Sequence, residues 1–179
     1  RGKSGALAAP HLLPTKIKIN DNFIIGTSTS NAQIYVANAY NVYPGGKHQS
    51  IECRGNQFEG DHIDGVLNFR GFHAAIISNN ILAGDESTGS SNAGVYVSAI
   101  KNLIVENNIF SHGGIISADT SNPAGEPYDE DLGNGKWNIV NNIFDNIGSA
   151  AQAGIRIINQ DNVNIHIINN FFRATDAIT

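Results

Sequence analysis

A short phrase closing on an asparagine returns six times in this chain of 179 residues, and that repetition points to coils stacked on one another. The copies are Ile17–Ile24, Ile51–Phe58, Ala75–Leu82, Leu103–Phe110, Trp137–Phe144 and Ile165–Phe172, with asparagines at Asn22, Asn56, Asn80, Asn108, Asn142 and Asn170. Successive asparagines lie 34, 24, 28, 34 and 28 residues apart, a loose period of the kind solenoids show.

Inside each copy the apolar positions alternate. Five residues before the asparagine stand Ile17, Ile51, Ala75, Leu103, Trp137 and Ile165, and three before it Ile19, Cys53, Ile77, Val105, Ile139 and Ile167. Between them comes a mixed set, Lys18, Glu52, Ile76, Ile104, Asn138 and His166, which reads as the outer face of a strand with period two. Two residues after the asparagine, Ile24, Phe58, Leu82, Phe110, Phe144 and Phe172 are placed to stack if the copies are in register. The asparagines themselves fit a ladder of side-chain amides running along the stack, which satisfies polar groups at a tight corner.

A second strand is expected before each later copy, at Gln33–Val36, Gly65–Phe69, Gly94–Val97, Gly114–Ser117 and Gly154–Ile158. Two long insertions, around Tyr43–His48 and Asn122–Asp131, fall in the same turn, and insertions collected at one turn often mark a binding face. Glycine, asparagine and proline punctuate the chain too often for a helix of ordinary length.

The phrases Val-Glu-Asn-Asn-Ile-Phe (105–110), Ile-Val-Asn-Asn-Ile-Phe (139–144) and Ile-Ile-Asn-Asn-Phe-Phe (167–172) resemble the coils of the right-handed parallel β-helix superfold. Pectate lyases, polygalacturonases, alginate epimerases and phage tailspike depolymerases belong to it. The resemblance implies an all-β, right-handed single-stranded parallel β-helix of about six coils over residues 17–179, preceded by an N-terminal segment or partial coil at 1–16. It also implies a long acidic or capsular polysaccharide as partner, an extracellular or virion-surface location, and a homotrimer as one mode of assembly. One fold hosts many chemistries, so activity must be argued from residues.

Eleven basic against 16 acidic residues give a net charge of −5 with no basic cluster, which argues against nucleic acid and anionic membranes as partners. No apolar run approaches the roughly 18 residues of a membrane span. The single cysteine, Cys53, sits at an inward position and reads as an unpaired core thiol. There is no methionine, and Thr175–Thr179 resembles the start of another second strand, so the sequence reads as a piece of a longer polypeptide.

Acidic residues gather in the turn after the aromatic position. Asp61 and Asp85 both lie five residues beyond their asparagines, Glu86 one further, and Asp64 three beyond Asp61. Strands about 4.8 Å apart make Asp61 and Asp85 neighbours on adjacent coils. Paired carboxyls suit glycoside hydrolysis, one protonated to assist the leaving oxygen and one ionised as nucleophile or as base for water. Their mutual repulsion favours keeping one protonated. Aspartates in Gly-Asp turns also cap backbone amides, which is the plainer role for them.

Similarity to the polygalacturonases extends this set. Their ordered motifs, Asn-Thr-Asp-Gly, Asp-Asp, Gly-His-Gly and Arg-Ile-Lys, are echoed by His62-Ile63-Asp64-Gly65, Asp85-Glu86, His112-Gly113 and Arg156-Ile157. The likeness implies acid and base duties for Asp64, Asp85 and Glu86, positioning for His112, and a substrate carboxylate for Arg156. His62, Glu86, Ser111 and Ile158 depart from the pattern, which puts the substrate in question. Tyr43 and Tyr128, in the insertions, are candidates to stack on sugar rings, whereas Trp137 belongs to the core. The run Asp129-Glu130-Asp131 offers oxygens of the kind calcium takes, but such runs ordinarily solvate loops, and no cofactor is expected.

Two rivals accompany the hydrolase. A polysaccharide lyase or epimerase abstracts a proton beside a carboxylate, usually with a Lys, Arg, Tyr or His base. A non-catalytic stalk or glycan-binding adhesin needs only the coils.

Overall fold

The computed structural model describes residues 16–26, 34–37, 50–59, 66–83, 93–111, 114–117, 135–145, 154–157 and 164–173. Among them the chain is all β, and every strand pairing is parallel. Each strand pairs with its counterpart one repeat away, so the sequence period becomes the rung of a stack. This arrangement is consistent with a parallel β-solenoid.

Three ladders of rungs result. The first joins β1 (Lys16–Asn20), β4 (Ser50–Arg54), the second half of β6 (Leu67–Ser78), the second half of β8 (Ala93–Glu106), β11 (Lys136–Val140) and β14 (Asn164–Ile168). A second, in its own six-stranded sheet, joins β2 (Phe23–Ile25), β5 (Gln57–Glu59), β7 (Ile81–Ala83), β9 (Ile109–Ser111), β12 (Ile143–Asp145) and β15 (Phe171–Arg173). The third joins β3 (Ile34–Ala37), the first halves of β6 and β8, β10 (Gly114–Ser117) and β13 (Ile155–Ile157). The first and third ladders share one nine-stranded sheet because β6 and β8 run through both.

Three of the second strands, β3, β6 and β13, start one or two residues later than their sequence signals, β10 starts at its own, and β8 starts one residue before. Two of them also merge with the phrase that follows, because β6 and β8 stay paired with each other as they run from the third ladder into the first. In β6 the join carries Gly71 at φ 77°, a conformation open to glycine because it has no Cβ.

The repeated phrase itself is not one strand. It breaks at the residue before each asparagine, which adopts a left-handed conformation in all six copies: Asp21, Gly55, Asn79, Asn107, Asn141 and Asn169, with φ between 55° and 66°. Only Asp, Gly and Asn occupy this position, the residue types that enter this region at least cost. The corner swings the chain from the first ladder into the second within two residues. Backbone bonds tie corner to corner, as in Asn107 N–H to the Val140 carbonyl at 3.2 Å and Ile143 N–H to the Asn108 carbonyl at 2.9 Å.

The next residue is the ladder asparagine, and its amide joins three rungs. Asn108 Oδ1 accepts from the Asn80 backbone N–H at 2.9 Å and from Asn80 Nδ2 at 3.0 Å. Its own Nδ2 donates forward to Asn142 Oδ1 and back to the Ile77 carbonyl, each at 3.0 Å. The same pattern links Asn56 to Asn80 and Asn142 to Asn170. Asn56, Asn80, Asn108 and Asn142 are buried, so these bonds satisfy groups that water cannot reach.

The alternation of each first-ladder strand places the core. Ile51, Cys53, Ile77, Leu103, Val105, Trp137 and Ile139 are buried, while Glu52, Ile76, Ile104 and Asn138 between them are only partly so. Trp137 lies wholly inside, its indole N–H donating to the Ile100 carbonyl at 3.0 Å. Phe58, Leu82, Phe110 and Phe144 fill the other side, and the rings of Phe110, Phe144 and Phe172 stack in turn with centroids 4.7 and 4.8 Å apart. Full burial of each such ring contributes about 1.5–3 kcal/mol. Cys53 is a free, buried thiol, its pKa pushed up to about 12 by burial, which a hydrogen bond from Asn56 only partly offsets.

Candidate functional site

The third ladder gives the clearest row of outward polar groups. Its register aligns Tyr35 with Asn68, Asn68 with Tyr96, Tyr96 with Ile116, and Ile116 with Arg156. The flanking positions, such as Leu67, Phe69, Val95 and Val97, are buried, so alternation turns the Tyr, Asn and Arg side chains to the other face. Tyr35 is half exposed, Tyr96 is partly buried, Asn68 is nearly covered, and Arg156 is exposed. At about 4.8 Å per rung, Tyr35, Tyr96 and Arg156 succeed one another at intervals of roughly 10 Å. The phenol rings of Tyr35 and Tyr96 and the guanidinium of Arg156 in one straight row can stack on and hydrogen-bond an extended polar ligand, while the Asn68 amide between the tyrosines is covered.

Of the site residues named from sequence, Arg156 lies within the described residues, at the outward position expected of it. Asp61, Asp64, Asp85, Glu86, His112, Tyr43 and Tyr128 lie outside them, as does the run Asp129–Asp131. The described strands do fix where two of these segments set out. Phe58 and Leu82 occupy neighbouring rungs of the second ladder, and Asp61 and Asp85 each follow three residues later.

Sequence reasoning missed Tyr35, Asn68 and Tyr96. They share the column of Arg156 by register, although they stand at different places from the start of their strands, so strand starts alone do not align them.

A separate charged group lies on the first ladder. Glu52 Oε2 is 2.6 Å from Lys16 Nζ, and its Oε1 is 2.7 Å from Arg54 Nε. The Arg54 contact is an ion pair without hydrogen-bond alignment, since its Nε finds no hydrogen-bond partner. The hydrogen bond from Lys16 holds the Glu52 carboxyl below the usual carboxylate range, aided by the charges of Lys16, Arg54 and Lys18 against a smaller opposing effect of burial. On the second ladder Arg173 grips Asp145 at 2.6 Å through Nε, which raises the guanidinium pKa further. The Lys16–Glu52 and Asp145–Arg173 pairs bridge neighbouring rungs and serve the stack, whereas Glu52 and Arg54 lie on the same strand. No cluster of His, Cys, Asp or Glu able to hold a metal occurs among the described residues.

No protein-family model matches the chain, and no curated protein or solved structure matches it.

Proposed function

We propose that the chain is a right-handed, single-stranded parallel β-helix of about six coils, of tailspike or polygalacturonase type, that binds an extended acidic or capsular polysaccharide along its third ladder and hydrolyses it. The observation that supports this most is the aligned row of Tyr35, Asn68, Tyr96 and Arg156, whose direction along the stack matches a linear polymer. The exposed guanidinium of Arg156 takes a sugar carboxylate in a two-pronged hydrogen bond. Tyr35 and Tyr96 supply ring faces for sugars. Asp61, Asp64, Asp85 and Glu86 divide the acid and nucleophile or base roles, and His112, Tyr43 and Tyr128 orient the chain being cut. The equal offset of Asp61 and Asp85 from the paired Phe58 and Leu82 favours two carboxyls from adjacent rungs. Such a protein works outside the cell or on a virion, where its polymer is.

The test is incubation with pectic, alginate and bacterial capsular polysaccharides while reducing ends and ultraviolet absorbance are followed together. Hydrolysis gives reducing ends without absorbance, abolished in Asp64→Asn and Asp85→Asn. Reducing ends with absorbance would replace the hydrolase by a lyase, in which calcium dependence becomes relevant.

The described row itself carries stacking and hydrogen-bonding groups rather than an acid–base pair, which favours a second reading. In it the coils are a stalk or adhesin that holds glycan without cleaving it. Binding that Arg156→Ala weakens, with no product from any polymer, would establish that reading.

A further inference from the structure

The outward column of the third ladder does not reach out evenly. Its five successive rungs carry Tyr35, Asn68, Tyr96, Ile116 and Arg156. Tyr35 is 52% exposed, Tyr96 is partly buried and Arg156 is exposed, whereas Asn68 keeps only 5% of its surface open to solvent. Groups able to stack on a ligand or pair with it therefore stand on the first, third and fifth rungs. The rungs between them offer a covered amide and an aliphatic residue. The spacing belongs to the backbone ladder, since Leu67 and Phe69 beside Asn68, and Val95 and Val97 beside Tyr96, are fixed in the core.

We propose that the polymer this column holds is a flat, extended ribbon of equatorially linked acidic sugars, one sugar over each rung, an inference that rests on the column being a polymer site. Rungs advance by about 4.8 Å, close to the advance of one pyranose ring in a chain whose two linkage bonds are both equatorial. In such a ribbon each sugar is turned over relative to the last. Its carboxylates point to opposite edges in alternation, and only every second sugar presents the same edge to the protein. The column has the same period, because two rungs, roughly 10 Å, separate Tyr35 from Tyr96 and Tyr96 from Arg156.

The first and third sugars then lie on the phenol rings of Tyr35 and Tyr96, and the fifth sets its carboxylate in the fork of Arg156. The second and fourth, turned the other way, pass over Asn68 and Ile116. Arg156 is the one charged residue of the column among the described residues, so a single sugar carboxylate is paired and the rings hold the rest. A chain with axial linkages is buckled, and its rings stand at an angle to a straight row instead of lying flat along it.

Calorimetric titration of the full chain with mannuronate oligosaccharides of three, four and five sugars tests the ribbon, because these are acidic and equatorially linked. Three sugars reach two of the three groups and five reach all of them. Affinity should therefore change little from three sugars to four and rise about tenfold from four to five, as one more stacked ring supplies. Tyr35→Ala should remove that last rise and leave the trisaccharide bound as before, a pattern that misfolding does not give. Tyr35→Phe keeps the ring and should keep the rise, while Arg156→Ala should weaken every length. Guluronate oligosaccharides, equal in charge and length but axially linked, should bind at least about tenfold more weakly at five sugars. An even gain with each added sugar, a Tyr35→Ala effect equal at three and five, or a guluronate or pectic fragment bound as tightly as mannuronate would overturn the ribbon and leave the polymer site standing. No binding of any oligosaccharide, with pectic and capsular polymers equally unbound, would overturn the polymer site and the ribbon with it.

Discussion

Two adjacent residues make each corner of this molecule, and they do different work. The first takes a left-handed backbone and points outward; the second takes an extended backbone and turns its amide inward. At Asn141, φ is 56° and the side chain is exposed, so little besides backbone conformation is at stake. Asn141→Ala should cost about 1–2 kcal/mol, and Asn141→Gly close to nothing, in urea unfolding. Asn108 is the opposite case, buried and bonded on both sides. Asn108→Ala strands the Asn80 backbone N–H and one Asn80 amide hydrogen without an acceptor, and about 3 kcal/mol should be lost by the same measurement. Glu52 adds a pH dependence. Its folded pKa lies below the unfolded value of about 4.5, so its contribution is present above that pH and is lost as pH falls through the folded pKa. Unfolding midpoints taken from pH 7 down to pH 3 should therefore fall less steeply in Glu52→Gln than in the parent chain.

At the scale of elements, the alternation of inward and outward residues was legible in the sequence because burial rewards a period of two so directly. Ile51 and Cys53 are inside and Glu52 is not, as their spacing required. The asparagine ladder was legible for a similar reason, since one polar residue at a fixed place in six copies must be bonded to its like. Two features were harder to read. The break between the first and second ladders depends on one residue of positive φ, and Asp21 or Gly55 at that place looks like any turn residue until the six are aligned. The continuity of β6 and β8 through two ladders depends on spacing in space rather than on residue type. The aromatic column offers the sharpest test of the stacking. Phe144 is packed between Phe110 and Phe172, whereas Phe172 is half exposed. Phe144→Ala should cost about 3–5 kcal/mol in urea unfolding, and Phe172→Ala clearly less, because only a filled site leaves a cavity behind.

Along the described rungs, parallel repetition turns each sequence position into a column; the inward columns keep one character from end to end, while the outward ones are mixed. The inward columns make the core and the amide column holds the corners. Binding of a polymer is proposed for the outward column from Tyr35 to Arg156. Of the candidate site, Arg156 could be read from the sequence because alternation puts it outside between Ile155 and Ile157. The carboxylates were chosen by equal offsets from the asparagines, and the pairing of Phe58 with Leu82 gives those offsets a common origin. How near Asp61 comes to Asp85 depends on turns whose path no periodicity dictates. Everything in this account rests on the in-register parallel stack, and the phenylalanines report on it most directly. In an otherwise deuterated chain with protonated phenylalanine, nuclear Overhauser effects should connect the rings of Phe144 to those of both Phe110 and Phe172, partners 34 and 28 residues away. Cross-peaks in that order are the predicted result; a Phe144 ring with no contact to either would contradict the stack and every column drawn along it.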